Sequence, residues 1–163
     1  MIYLKKIDWD NFDEFMKLEV RDDQKTFVAT VASSLSQAYV YLTNDDFSPF
    51  ALAIYHDDQL IGHTLIIYKR KEENIYGNDD SYVIRRFMID KRFQGRGYGS
   101  KALAKIITFI KSFPYGIVDS VYLSYHPKNI VAINLYNKYS FYDTGRKLDN
   151  GEVIARLDLS KKE

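Results

Sequence analysis

The sequence contains no cysteine, which excludes disulfides, thiolate zinc sites and a cysteine nucleophile. Its three histidines (His56, His63 and His126) show no paired metal-ligand spacing, so no metal is expected. Charge of one sign is missing as well. Lys and Arg number 23 against 22 Asp and Glu, a net of +1, whereas a general nucleic-acid binder carries a basic excess. Apolar runs such as Leu65 to Tyr68 fall far short of the roughly 20 residues of a membrane span. Met1 to Asp8 alternates apolar with charged residues and lacks the apolar centre of a signal peptide. With three prolines, eight glycines and no Pro/Gly/Ser linker or repeat, the chain reads as a single domain over residues 1–163. The expectation is a soluble, cytoplasmic domain with neither nucleic acid nor membrane as partner. What is abundant is aromatic: 14 tyrosines and 10 phenylalanines, most of which fill a core as large amphipathic residues do.

Periodicity orders the chain. Ile2, Leu4 and Ile7 open it in an extended segment, and Asp8 is placed to cap a helix carrying Phe12, Phe15, Met16 and Glu19. Phe27, Val28, Val31 and Leu35 recur at helical spacing, predicting a second helix that ends near Tyr41. Phe50 to Tyr55 and Leu60 to Lys69 read as strands around the turn His56 to Gln59, and Ser81 to Asp90 as a third. In that third strand Tyr82, Ile84 and Met88 alternate against Val83, Arg85 and Ile89. A helix follows over Gly97 to Ser112, with Leu103, Ile106, Ile107 and Ile110 on its apolar face and Pro114 as its stop. Val121 to Tyr125 is a strand, and Asn129 opens a helix with Val131, Ala132, Leu135, Tyr136 and Tyr139. Phe141 to Lys147 and Val153 to Leu159 form a hairpin, with Asn150-Gly151 a type I′ signal. The strand–helix–strand–helix middle implies a parallel pair inside a mixed sheet.

Three of the eight glycines lie in Gln94-Gly95-Arg96-Gly97-Tyr98-Gly99, between a strand and a helix. Glycines there admit positive φ and let backbone N–H groups approach a ligand closely. The helix start adds unpaired N–H groups and the positive end of its dipole, a site suited to phosphate oxygens. Arg92 and Arg96 add charge beside it. On spacing alone the segment is either such a cradle or a surface turn. A Walker A loop is excluded because no Gly-Lys-[Ser/Thr] ending is present, and the dinucleotide fingerprint lacks its early βαβ context and acidic ribose ligand.

Gln94-x-x-Gly97-x-Gly99 after Phe87-Met88-Ile89-Asp90 resembles the acetyl-CoA pyrophosphate loop of the GNAT superfamily of N-acetyltransferases. Asn129-x-x-Ala132-x-x-Leu135-Tyr136-x-Lys138-x-x-Phe141 resembles that superfamily's second motif. Together with seven readable strands, the resemblance covers roughly residues 50–159. It implies an α/β fold: a mixed, mostly antiparallel seven-stranded sheet with a parallel central pair and about four flanking helices. It further implies that the backbone of Phe87, Met88 and Ile89 meets the pantetheine arm, and that the amides of Gln94, Gly95, Arg96, Gly97, Tyr98, Gly99 and Ser100 hold the pyrophosphate of the co-substrate acetyl-CoA. Asn129 would hydrogen-bond the pantetheine, Lys138 reach the nucleotide end, and Tyr136 act as general acid, since a phenol of pKa ≈ 10 can protonate the departing thiolate. Ser140 stands where the family often has glycine, at a turn.

The segments Arg21 to Ala29 and Ser34 to Tyr39 resemble the bacterial spermine/spermidine N-acetyltransferase branch. This implies a small polycationic amine as partner, with Glu19, Asp22 and Asp23 either pairing with its ammonium groups or simply solvating a helix joint. Transfer to a protein N-terminus, a lysine or another small amine is the alternative, and a non-catalytic CoA sensor a third reading. A homodimer is left open. Polyamine acetyltransferases of the superfamily can carry a glutamate on the central strand, but Val83-Ile84-Arg85-Arg86 offers no carboxylate. The base is then a water relay or a carboxylate from another element.

Overall fold

In the computed structural model, which describes residues 1–159, the chain runs β1 (Ile2–Lys6), α1 (Phe12–Phe15), α2 (Val31–Asn44), β2 (Phe50–His56), β3 (Gln59–Lys69), β4 (Ser81–Ile89), α3 (Tyr98–Ile110), β5 (Ser120–Tyr125), α4 (Ile130–Lys138), β6 (Tyr142–Lys147) and β7 (Val153–Asp158). The strands form one sheet in the order β1-β2-β3-β4-β5-β7-β6. Every neighbouring pair is antiparallel except β4 with β5, the mixed architecture expected from the sequence. Among the described residues no helix is long and apolar enough to cross a membrane.

Both faces of the sheet are covered. Leu103, Ile106 and Ile110 of α3 bury themselves against Ile54, Ile61, Ile66, Tyr82 and Ile84 on one face. On the other, Phe15 of α1 and Val31 of α2 cover Ala53 and Leu60, and Ala38 of α2 covers Leu65, Ile67 and Val83. Each fully buried aliphatic side chain contributes roughly 1.5–3 kcal/mol relative to exposure, so the apolar stripes fix which face each helix takes.

Several local expectations are corrected. Asp8 accepts the amides of Asp10 and Asn11 in a turn, and α1 ends at Phe15, so Glu19 lies outside it. The second helix starts at Val31, where the Thr30 hydroxyl accepts from Ser33 N–H, and it runs on to Asn44. Phe27 and Val28 precede it. The hairpin turn is closed by Gly151 N–H on Leu148 O with φ +89° at Gly151 alone, which is not type I′, since that turn needs positive φ at both central residues. Finally, β4 carries a bulge at Arg85: Leu65 pairs with Arg86 but Ile66 with Ile84. The extra residue reverses the alternation, so Ile89 shares a face with Tyr82 and Ile84 while Met88 sits on the face of Val83.

Ser140 adopts φ +71°, the left-handed conformation that costs an L-residue roughly 1–2 kcal/mol and glycine nothing. Ser140→Gly should therefore raise the melting temperature by a few degrees in calorimetry, and a lowered one would contradict the strain.

His63 is buried, with its Nδ1–H donating to Leu52 O and Phe15 edge-on at 4.9 Å. Burial pushes its pKa down to about 4, against a weaker opposing effect of the Leu52 bond. The unfolded chain takes up a proton below pH 6.5 that the folded one refuses, so stability falls as pH drops from 6.5 towards 4. Between pH 6.5 and 5 the loss should be roughly 2 kcal/mol. Urea titrations of wild type and His63→Asn at both values check this, and an identical pH slope in the two proteins would refute it.

Parallel pairing of β4 with β5 involves only Tyr82 with Val121 and Val83 with Tyr122. Beyond these residues the strands part, and both lead at their carboxyl ends into loops that start helices, α3 and α4. Such a crevice is where open α/β sheets place ligands.

Candidate active site

The loop after β4 is built from its glycines and from Asp90. Gly95 and Gly97 hold φ +78° and +80°, and Gly97 is the N-cap of α3. Among the described residues no acceptor takes any backbone N–H from Gln94 to Ser100. Seven consecutive free donors at a helix N-terminus suit phosphate oxygens. Asp90 shapes the loop: its buried carboxylate accepts Arg92 N–H, Arg92 Nε and Glu19 N–H. Burial alone would push its pKa up, but these hydrogen bonds prevail and lower it. Gln94 turns its side chain inward, its amide donating to Ile89 O at 2.8 Å and to Gln24 Oε1 at 2.9 Å. Arg96 is exposed beside the Phe93 ring, and Tyr98 packs on His56. At the far side Lys138 Nζ donates to Ser100 Oγ at 3.0 Å and Tyr139 Oη donates to Ser100 O at 2.7 Å, tying the end of α4 to the start of α3.

Asp90 N–H donates to Ile61 O. Antiparallel alternation then directs the backbone of Arg86 and Met88 to β3, and that of Phe87 and Ile89 to the crevice. Phe87 thus presents its N–H and carbonyl to the open edge and Ile89 its N–H, the Ile89 carbonyl being taken by Gln94, while Met88 presents neither.

Two cavities occupy the crevice. One, of about 370 Å³, runs under the glycine loop past Phe87, Met88, Ile89, Gln94, Gly95, Gly99 and Leu135. Arg96, Gly97, Tyr98, Ser100 and Lys138 lie outside it, along the loop and helix start. The other, of about 350 Å³, opens between Arg85, Arg86, Ser124, Glu152 and the segment 25–29. Both are lined by Val28, Phe87, Asn129, Ala132 and Tyr136. Asn129 spends its Oδ1 capping α4 on Ala132 N–H at 3.3 Å, leaving its Nδ2 donor uncommitted among the described residues. Tyr136 is 8% exposed, stacked on Tyr125 and edge-on to Phe141, and its hydroxyl has no hydrogen-bond partner among the described residues. Burial, and then the charge of Glu152, raise its pKa well above that of an ordinary phenol.

Glu19, Asp22 and Asp23 do not converge on the second cavity. Glu19 pairs with Lys91 and Lys25, Asp22 with Lys25 at 2.8 Å, and Asp23 with Arg21 at 3.3 Å. Their segment straps the crevice instead, through Asp90, Gln94 and the Phe27 ring 4.9 Å from that of His126. His126 is a turn residue whose Nδ1 accepts Lys128 N–H. Among the described residues no cluster could hold a metal ion.

A loop of free amides, a bare strand edge and a protonated tyrosine form one continuous crevice, and the model of the acetyltransferase (GNAT) family matches residues 7–141. The chain belongs to this family. It is an acetyl-CoA-dependent N-acetyltransferase. The chain is 28% identical over 160 residues to the spermine/spermidine N(1)-acetyltransferase of Bacillus subtilis, covering 97% of this chain and 99% of the relative. An aminoglycoside acetyltransferase solved with coenzyme A superposes with a TM-score of 0.75 at 14% identity, over 98% and 95% of the two chains. The PaiA N-acetyltransferase of Thermoplasma acidophilum, also with coenzyme A, gives 0.64 at 12%, over 97% and 99%. These two establish the fold alone.

Sequence reasoning missed Asp90 and Glu152 in this acetyltransferase. Asp90 was visible only as a strand end, and Glu152 only as a charge in a hairpin turn. Arg85 and Arg86 were noticed for what they are not.

Proposed function

We propose that this acetyltransferase moves the acetyl group to a primary amine by direct attack in a ternary complex, with the sulfur seated at Tyr136. The observation that carries the reading is that the cavity under the glycine loop and the cavity beyond it meet at Tyr136. The amides of residues 94–100 hold the pyrophosphate, the edge groups of Phe87 and Ile89 with Asn129 Nδ2 hold the pantetheine, and Lys138 serves the nucleotide end. The acceptor ammonium sheds one proton to solvent, and its nitrogen lone pair attacks the thioester carbon. As the C–S bond breaks, Tyr136 Oη protonates the leaving thiolate. The new amide nitrogen then loses its extra proton, which restores the phenol directly or through water. Burial keeps the phenol protonated at neutral pH, so the proton this step needs is in place.

A polyamine acceptor is a second reading, favoured by the name of the Bacillus relative. For this chain it needs an acidic anchor other than Glu19, Asp22 and Asp23, whose charges are already paired. The test is thiol release from acetyl-CoA over polyamines, monoamines, amino acids and peptides. Release with some amines supports transfer, whereas tight CoA binding with no release for any acceptor would leave a sensor.

A further inference from the structure

The second cavity holds a charge pattern that acetyl transfer alone does not explain. Arg85 and Arg86 are adjacent at the β4 bulge and both line the cavity. Both are half-buried, yet neither has a carboxylate within salt-bridge distance among the described residues. Arg85 Nε meets only the Tyr41 hydroxyl at 3.3 Å. Arg86 gives one terminal nitrogen to Arg85 O at 3.0 Å, and its buried Nε has no partner. The charge of Glu152 acts on both guanidinium groups without touching either, so a partly desolvated pair remains that an anion in direct contact would complete, and the planar guanidinium fork fits a carboxylate.

Glu152 supplies the opposite pole. It also lines the cavity, with Ser124 Oγ donating to one carboxylate oxygen at 2.9 Å and Asn150 Nδ2 to the other at 2.7 Å. These bonds leave a fixed anion in the same cavity as the Tyr136 ring. Lys25, the other cation in the lining, is already paired with Asp22.

We propose that the acceptor is an aminocarboxylate, its carboxylate held by Arg86 with Arg85 and its amine drawn by Glu152 towards Tyr136. This rests on the acetyl-transfer reading and narrows its acceptor to a molecule with both charges. The cavity then selects against a polycation, whose second ammonium would face two guanidinium groups.

The test uses three acceptors of equal length: 5-aminopentanoate, pentylamine and 1,5-diaminopentane. They end in a carboxylate, a methyl and an ammonium group. In wild type, kcat/KM should be tenfold or more higher for the aminocarboxylate than for pentylamine, with the diamine no better than pentylamine. Arg86→Gln should raise KM for 5-aminopentanoate at least tenfold and change pentylamine less than twofold, while Arg86→Lys restores part of the loss. Arg85→Gln is the second variant, should Arg86→Gln fail to fold by its melting profile. Preference for the diamine, or equal effects of the variants on all three amines, overturns the proposal while leaving acetyl transfer intact. No thiol release with any amine overturns the transfer reading with it.

Discussion

Tyr136→Phe should lower kcat by roughly 10²-fold or more, the lower range of general acid–base contributions, with CoA affinity almost unchanged. The substitution removes one oxygen from a ring whose packing against Tyr125 and Phe141 is retained. Because that hydroxyl makes no hydrogen bond to the described protein, its loss leaves no protein group stranded and the fold should keep its stability. An effect on kcat and kcat/KM together, without one on binding, is the signature of an interaction made only in the transition state. Since burial and then Glu152 raise the phenol's pKa, wild-type kcat should show no loss from its ionisation at least up to pH 10, where an ordinary tyrosine already titrates. Unchanged turnover in the variant, with chemistry shown to be rate-limiting, would move the acid elsewhere.

Gly97→Val should remove most of the thermal stabilisation that CoA confers. At 100 times its dissociation constant a ligand adds about 2.7 kcal/mol, a shift of roughly 5–10 °C for a chain of this size. A Cβ at Gly97 meets no atom of the protein within 4 Å, so intramolecular crowding is not the cause. Its φ of +80° strains a valine in the free protein, at roughly 1–2 kcal/mol, which lowers the melting temperature but not the response to CoA. In the complex the branched side chain would add a second obstacle, standing over amides that must contact the pyrophosphate. The variant therefore folds with a modestly lower melting temperature but responds weakly to CoA. Equal ligand shifts in both proteins would reject the loop as the pyrophosphate site.

What could be read without coordinates was what is local. Gly95 to Gly99 advertise positive φ and free amides, Asn129 advertises a helix cap, and the spacing to Tyr136 is a motif. The strands follow from alternation, and α3 follows from Leu103, Ile106, Ile107 and Ile110. Features set by register or by distant partners were not legible. The bulge at Arg85 inverts the face of every later residue in β4, so Met88 and Ile89 exchange sides. Phe27 and Val28 carry helical spacing but lie in the strap across the crevice, because Thr30 caps the helix after them. The carboxylate of Glu19 finds Lys91 only once the strap folds back onto the loop, whereas Asp22 pairs locally with Lys25 three residues on. Glu152 reaches the crevice because β7 pairs with β5 and places the hairpin turn beside Ser124. No pattern within the turn itself announces that contact.

In the proposed mechanism the two cavities are the cofactor and acceptor arms of one site with Tyr136 at their junction. A crystal structure of the protein with CoA is the test of that arrangement. The pyrophosphate should lie on the amides of residues 94–100 and the thiol sulfur within about 3.5 Å of Tyr136 Oη, a near-attack separation. A sulfur lodged away from Tyr136, or a pyrophosphate bound elsewhere than the glycine loop, would contradict it.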